Sequence, residues 1–278
     1  MNSTDQPRPF LGLITALESE TKAFDRGKPI AQGHFQRREF DCAQGRVVCL
    51  QCGPGPERSL AAARELVAEG AGALLCAGVA GGIDGRCECG ELLISEDVQL
   101  VHEGAPLAVP QERPGLAESA LRLLAGSRFR FRAGILLTTA TPLLDLSERE
   151  RWHTLTGASA VDTESAGVAL AAMEARIPFL AARAVCDSIK RPVSKAMLAA
   201  CDNGAAGSVR GLVRAILRRP SLLGDFWRAG RDYSKALDTL RNARKALFQA
   251  CFEAMTDPDR ERSEADAPNA PGPEEPIQ

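Results

Sequence analysis

Apolar residues in this chain follow two rhythms that alternate from about residue 10 to residue 190. Short unbroken runs read as strands buried on both faces: Phe10–Leu17, Arg46–Gln51, Ala73–Gly78, Glu91–Ser95, Gly134–Thr139 and Ile177–Cys186. Between them lie helix-forming stretches, Glu18–Phe24, Glu57–Glu69, Leu116–Ala125 and Glu164–Ala175. Strands of this kind belong in a sheet covered on both sides, and their alternation with helices predicts mostly parallel pairing. The expected fold class is a single α/β domain, a central mostly parallel twisted sheet covered by helices, with a C-terminal helical extension. Beyond Ser194 the pattern turns helical, over Ala205–Arg219 and Leu222–Met255, with Pro220 stopping the first segment. We therefore expect a core over 10–204, a basic amphipathic extension packing on it over 205–255, and a disordered acidic, proline-rich tail over 256–278.

Composition narrows the class. With 278 residues, 45% of them hydrophobic, one large core is affordable, and a net charge of −2 gives no general attraction to nucleic acid. No stretch approaches the roughly 18–20 apolar residues of a membrane span, and residues 1–9 lack the basic and apolar regions of a secretory signal. Nine cysteines, several inside apolar runs (Cys49, Cys76, Cys186), suit reduced thiols in a cytoplasmic protein. Cys87 and Cys89 have no histidine cluster beside them, and His34, His102 and His153 are scattered, so no metal site is expected. One region departs from the charge balance. Between Arg210 and Lys245 the basic residues far outnumber the acidic ones, with Phe226, Trp227 and Tyr233 interleaved. That segment reads as a solvated amphipathic cap or as a surface for anionic lipid.

Chemistry concentrates where apolar runs end in acids. Asp187 falls at the carboxyl end of the Ile177–Cys186 run, the edge where open α/β sheets bind ligands. Val161-Asp162-Thr163-Glu164-Ser165 places two more carboxylates just ahead of a helix, and Glu20 follows the first strand. A carboxylate at such a site needs a partner or a proton. Structural readings compete: Asp187 can cap a following helix, Glu20 can complement a helix dipole, and Asp162 reads as a cap rather than a catalyst.

Taken in order, Gly12–Glu20, Ala77–Gly82 with Gly90–Ser95 after it, Val161–Ser165 and Arg183–Ser188 resemble the motifs of the purine nucleoside phosphorylase/nucleosidase superfamily. The likeness runs over about residues 10–200 and points to the branch with methylthioadenosine/S-adenosylhomocysteine nucleosidases and hopanoid-associated phosphorylases. It implies cleavage of the N-glycosidic bond of an adenosine-type nucleoside without metal or organic cofactor, by a homo-oligomer. Under it, Asp187 is the general acid at N7 of the purine, Glu164 grips the ribose hydroxyls and Glu20 activates water. The turn Ala80-Gly81-Gly82 lines the ribose and nucleophile, glycine permitting close backbone approach. Such chemistry asks for an acid with a raised pKa, an ionised carboxylate on the sugar hydroxyls and a second one orienting the nucleophile. Two departures matter. Thr163 stands where the family usually has Met, and Val79 where many relatives have a Ser that helps hold phosphate or water. Thr163 bears on the shape of the substrate pocket, while Val79 beside acidic Glu20 makes a poor phosphate cradle and favours water over phosphate, although Arg183 either offsets that bias or pairs structurally with a carboxylate. Phosphorolysis is the alternative, and a non-catalytic nucleoside-binding protein the second. A dinucleotide fold is disfavoured, because the first strand lacks a Gly-x-Gly-x-x-Gly and Arg58 stands where the third glycine belongs in the later Gly53–Arg58 turn. Likeness to the hopanoid-associated proteins would make the 5′ substituent a lipid and bring 205–255 near a membrane.

Overall fold

The computed structural model describes residues 9–30, 33–110, 115–190 and 222–256. Nine strands and six helices are seen among these residues. They are β1 (Phe10–Thr15), α1 (Glu18–Phe24), β2 (Gln36–Asp41), β3 (Arg46–Gln51), α2 (Pro56–Ala68), β4 (Ala71–Gly82), β5 (Leu92–His102), β6 (Ala105–Val109), α3 (Gly115–Leu124), β7 (Phe131–Thr138), α4 (Leu146–Thr156), β8 (Ala160–Asp162), α5 (Ser165–Ala175), β9 (Phe179–Asp187) and α6 (Leu222–Thr256). The segments expected at 205–219 and 257–278 lie outside the described residues.

Alternation along each central strand explains why the sheet is covered twice. Phe10 and Ile14 of β1, with Leu74 and Cys76 of β4 and Phe179 and Ala181 of β9, pack against Ala62 and Leu66 of α2 and Val168 and Ala172 of α5. Leu11 and Leu13, with Leu75, Ala77, Leu180 and Ala182, point the other way, onto Ala236, Leu240, Leu247 and Phe248 of α6 and Leu116 and Ala120 of α3. Neither side can be exposed without opening an apolar face, and α6 supplies the largest part of the second cover. Thiols belong to this core: every described cysteine is free, and burial pushes Cys49, Cys52 and Cys251 up to about 12.

The strand order is β2-β3-β1-β4-β8-β7-β5-β6, with β9 paired to both β4 and β5. Pairings β1–β3, β1–β4, β4–β9, β5–β7 and β7–β8 are parallel; β2–β3, β4–β8, β5–β6 and β5–β9 are antiparallel. The sheet is thus more mixed than the alternation of elements predicts, in part because β2 and β6 are antiparallel hairpin partners, β2 being mostly polar and β6 a five-residue, mostly exposed edge strand carrying Pro106. Two expected boundaries are corrected. The Val79–Gly82 stretch, read as a turn, is the end of β4: its register shifts at Ala80/Gly81, and the strand passes from β9 to β8. The strand expected to end at Ser95 instead runs on, as β5, to His102. That switch in partners at the end of β4 opens the space in which the acids meet.

Candidate active site

A cleft of about 250 Å³ lies at the carboxyl ends of β1, β4 and β9. Its walls come from the β1–α1 junction (Ala16, Leu17, Glu20), Pro54, Val79–Gly81 of β4, Pro142–Leu144 and Arg149 around α4, Val161–Glu164, and Cys186–Asp187. Glu20, Glu164 and Asp187, 144 and 23 positions apart in sequence, therefore share one cavity, with Thr163, Ala80 and Gly81 beside them. Gly82 sits just past the lining, its carbonyl 3.5 Å from Arg149 Nη1. Arg183 lies beneath the wall, fully buried.

Glu20 is held by backbone alone. Its Oε2 accepts from the amides of Ala16 and Leu17, both at 2.9 Å, and its Oε1 from the amide of Val79 at 2.8 Å. It sits in the first turn of α1, as the dipole reading expects, yet its carboxylate turns inward and is 2% exposed. Burial raises its pKa, overcoming Arg183 and the three amides, which favour the charged form. Glu164 precedes α5, with its carbonyl accepting from Ser59 Oγ of α2 at 2.8 Å. Its carboxylate takes a short hydrogen bond from Thr163 Oγ1, and burial raises its pKa too.

Arg183 binds this end of the cleft together. Its Nε lies 2.7 Å from Asp162 Oδ2 and its Nη2 3.1 Å from Glu164 Oε2. Asp162 also accepts from Thr138 Oγ1 at 2.7 Å and from Ser165, so its valences are spent inside the protein, as a cap and counter-ion. The remaining nitrogen, Arg183 Nη1, is buried and makes no hydrogen bond in the chain. It faces Gly78 together with Glu20: a Cβ on Gly78 would stand 2.5 Å from Arg183 Nη1 and 2.6 Å from Glu20 Oε1. Asp162, Glu164 and Glu20 all act on Arg183 and hold it charged against burial.

Asp187 has different company. It lies 2.7 Å from Nη1 of Arg149, and both side chains are nearly buried. Where the resemblance implies a general acid, the cleft holds a carboxylate with an arginine against it. Arg149 went unnoticed in sequence because α4, LSERERWHTLT, has no apolar face to reveal it. Its ends were legible: Asp145 accepts from the amide of Ser147 as N-cap, and Gly157 closes the helix in a left-handed conformation. Pro142–Leu144 and Pro54 were likewise missed, being apolar residues outside any strand or helix rhythm, and Leu17, read as the end of the first strand, lies past it at the start of α1 and lines the cleft.

Among the described residues no group of three or more His, Cys, Asp or Glu could hold a metal, and no helix is long and apolar enough to cross a membrane.

Known proteins share the fold that carries this cleft. The profile of the phosphorylase superfamily matches residues 10–218. No curated protein matches the sequence significantly. Among solved structures, futalosine hydrolase of Helicobacter pylori superposes with a TM-score of 0.66 at 13% identity, over 87% of this chain and 97% of that one. The 5′-methylthioadenosine/S-adenosylhomocysteine nucleosidase of Neisseria meningitidis, in complex with methylthio-immucillin-A, gives 0.62 at 17% identity, over 88% and 98%. The corresponding nucleosidase of Campylobacter jejuni gives 0.60 at 19% identity, over 74% and 98%.

Proposed function

The chain belongs to the phosphorylase superfamily of enzymes, and we propose that it hydrolyses the N-glycosidic bond of a 5′-substituted adenosine-type nucleoside. The observation that carries this reading is the meeting of Glu20, Glu164 and Asp187 in one cleft. Glu164, anchored through Ser59, faces the ribose hydroxyls and fixes the ring by charge-assisted hydrogen bonds. Glu20 takes a proton from the attacking water, and a raised pKa makes it the stronger base. Arg183, buried behind Glu20, favours the charged form of that base from within the wall. Asp187 and Arg149 face the departing base.

Charge decides water against phosphate. Around Arg183 stand three carboxylates, Glu20, Asp162 and Glu164, so this end of the cleft carries excess negative charge and repels an anionic nucleophile. Leu17 and Leu144, 40% and 43% exposed, flank the mouth with Pro54 and make it apolar. This favours an apolar 5′ substituent, a hopanoid or a shorter thioether being the two ends of the range. The same reading makes the enzyme a cytoplasmic homo-oligomer that needs no metal or organic cofactor. It also allows residues 205–255 to touch a membrane, where Trp227, 68% exposed with Arg231 5.6 Å over its ring, would meet the surface.

Base release from a panel of 5′-substituted adenosines in phosphate-free buffer tests the proposal, with the sugar product identified alongside. Free sugar formed without phosphate is expected, together with loss of release by about 10²–10⁴-fold in Asp187→Asn. Release that requires phosphate and yields a sugar 1-phosphate overturns the hydrolytic assignment, and near-normal turnover in Asp187→Asn overturns the site.

A further inference from the structure

Glu20 closes the end of its own helix. No side chain caps α1 at Leu17, and the amides of Ala16 and Leu17 at its start are taken up by the Glu20 carboxylate, both at 2.9 Å. With seven residues the helix is too short to hold its shape without tertiary contacts. Its later turn is fixed from outside. Thr21 Oγ1 lies 2.6 Å from Thr15 Oγ1 of β1, and the ring of Phe24 lies 5.9 Å from that of Phe248 on α6. The first turn has less. Glu18, more than half exposed, is 4.0 Å from Arg38, and the hydroxyls of Ser19 and of Tyr233 on α6 lie 2.6 Å apart.

Tyr233 offers that turn a fixed point. Its helix is seated on the sheet by Ala236, Leu240 and Leu247, all fully buried, and by Thr239 Oγ1, which donates to the carbonyl of Gly90 at 2.8 Å. The phenol itself is half-buried. Burial raises its pKa, and although the bond with Ser19 works the other way, the charge of Glu20 raises it further, so the contact stays neutral.

On the proposed hydrolysis, Glu20 takes up a proton in each turnover. A carboxylate holds backbone amides by charge-assisted hydrogen bonds about twice as strong as neutral ones, and protonation removes that advantage. The base therefore weakens the cap of its own helix at each cycle, whereas a contact between two hydroxyls is indifferent to the change of charge. We infer that Tyr233 is a positioning residue for Glu20: through Ser19 it holds the first turn of α1 while the acid is protonated, so that the carboxylate keeps its place against the water. The inference rests on the reading of Glu20 as the base, and Tyr233 acts from outside the residues that line the cleft.

The test measures kcat and KM for base release from whichever 5′-substituted adenosine of the panel turns over fastest. The proteins are the wild type, Tyr233→Phe, Ser19→Ala and Ser19→Thr, with the first two substitutions also combined with Glu20→Gln, each checked by thermal unfolding. Tyr233→Phe and Ser19→Ala should each lower kcat by about tenfold and leave KM within about twofold, since Glu164 and Asp187 still hold the nucleoside. Ser19→Thr, which retains a hydroxyl, should keep most of the turnover. In the Glu20→Gln background neither substitution should lower kcat further, because no base is left to position. Thr239→Val loosens the same helix elsewhere and supplies the contrast, its effect on kcat being equal in the two backgrounds. If Tyr233→Phe does not fold, Ser19→Ala decides. Folded single variants with wild-type kcat, or a loss repeated in full in the Glu20→Gln background, overturn the inference and leave the proposed hydrolysis standing. Wild-type kcat in Glu20→Gln itself overturns Glu20 as the base, and this inference falls with it.

Discussion

Two buried arginines divide the cleft. Arg183, on the central strand β9, is fully enclosed, shared among Asp162, Glu164 and Glu20, and has one nitrogen left without a partner. Arg149, on the peripheral helix α4, meets a single carboxylate, Asp187, and lines the cavity. One guanidinium amid three acids leaves a negative end that suits water and a developing sugar cation. One guanidinium against one acid leaves a balanced end that suits a polar, neutral base. The same side chain therefore does opposite work, set by how many carboxylates it must answer and by whether it holds the wall up or forms part of it.

Removing the charge at each end should break this symmetry most visibly. Arg183→Met strips the counter-ion from Asp162 and Glu164, both deep in the protein, and is expected to destabilise the fold by about 3–5 kcal/mol, with activity lost. Arg149→Met leaves Asp187 at the edge of a cavity where solvent can reach it, so its loss of stability should be clearly smaller. Denaturant unfolding of the two variants reads the difference. Equal losses would mean that Arg149 is as structural as Arg183.

Next in size is the loss of the proposed base. Glu20→Gln should lower kcat by about 10²–10⁴-fold. The pH profile carries the sharper information. Glu20 works only when ionised, and burial raises its pKa above the ordinary 4.5, so activity is present above the raised value and disappears as pH falls through it. Burial raises Glu164 in the same direction, and it contributes to the same limb. The acid limb of kcat/KM should accordingly lie above pH 4.5 in the wild type. A limb at the value of an unperturbed glutamate would show that neither buried acid sets the rate.

These two ends were unequally legible in the sequence. The three acids could be read because they border apolar runs: Asp187 ends β9, Glu164 stands just ahead of α5, and Glu20 follows β1. Strand boundaries there are dictated by burial on both faces, which leaves a strong pattern. Arg149 could not be read that way, since α4 buries only Arg149 and Trp152 along its length and is otherwise polar. A helix of that kind is announced by its caps, Asp145 and Gly157, not by its face. The hairpin strand β2 escaped for a related reason, being mostly polar, whereas β6 is apolar but only five residues long and interrupted by Pro106. The Val79–Gly82 stretch looked like a turn because glycine usually marks one. In the structure its Gly81 answers a spatial demand, an extended strand passing against bulky polar side chains, and the neighbouring Gly78 does the same.

The smallest expected effects come from those two glycines, and they set the ends of the cleft against each other on equal terms. A methyl group on Gly78 would stand 2.5 Å from Arg183 Nη1 and 2.6 Å from Glu20 Oε1. Neither neighbour can retreat: Arg183 is tied to Asp162 and Glu164, and Glu20 to three backbone amides. Gly78→Ala should destabilise the protein by about 1–3 kcal/mol. It should also move Glu20 far enough to reduce turnover by about 10²-fold. At Gly81 the same methyl group would meet Arg149 Nη2 at 3.0 Å and Asp187 Oδ1 at 3.3 Å. Those atoms are the far ends of side chains that border open space, and a shift of a few tenths of an ångström relieves them. Gly81→Ala should therefore leave stability within about 1 kcal/mol of wild type. What it disturbs is the contact between Arg149 and Asp187, so its signature should be a modest loss of base release, on the order of tenfold, with the fold kept. Thermal unfolding and the base-release assay on both variants make the measurement. If Gly81→Ala proves as destabilising as Gly78→Ala, the base end is as rigid as the sugar end, and the contrast drawn from the two arginines fails.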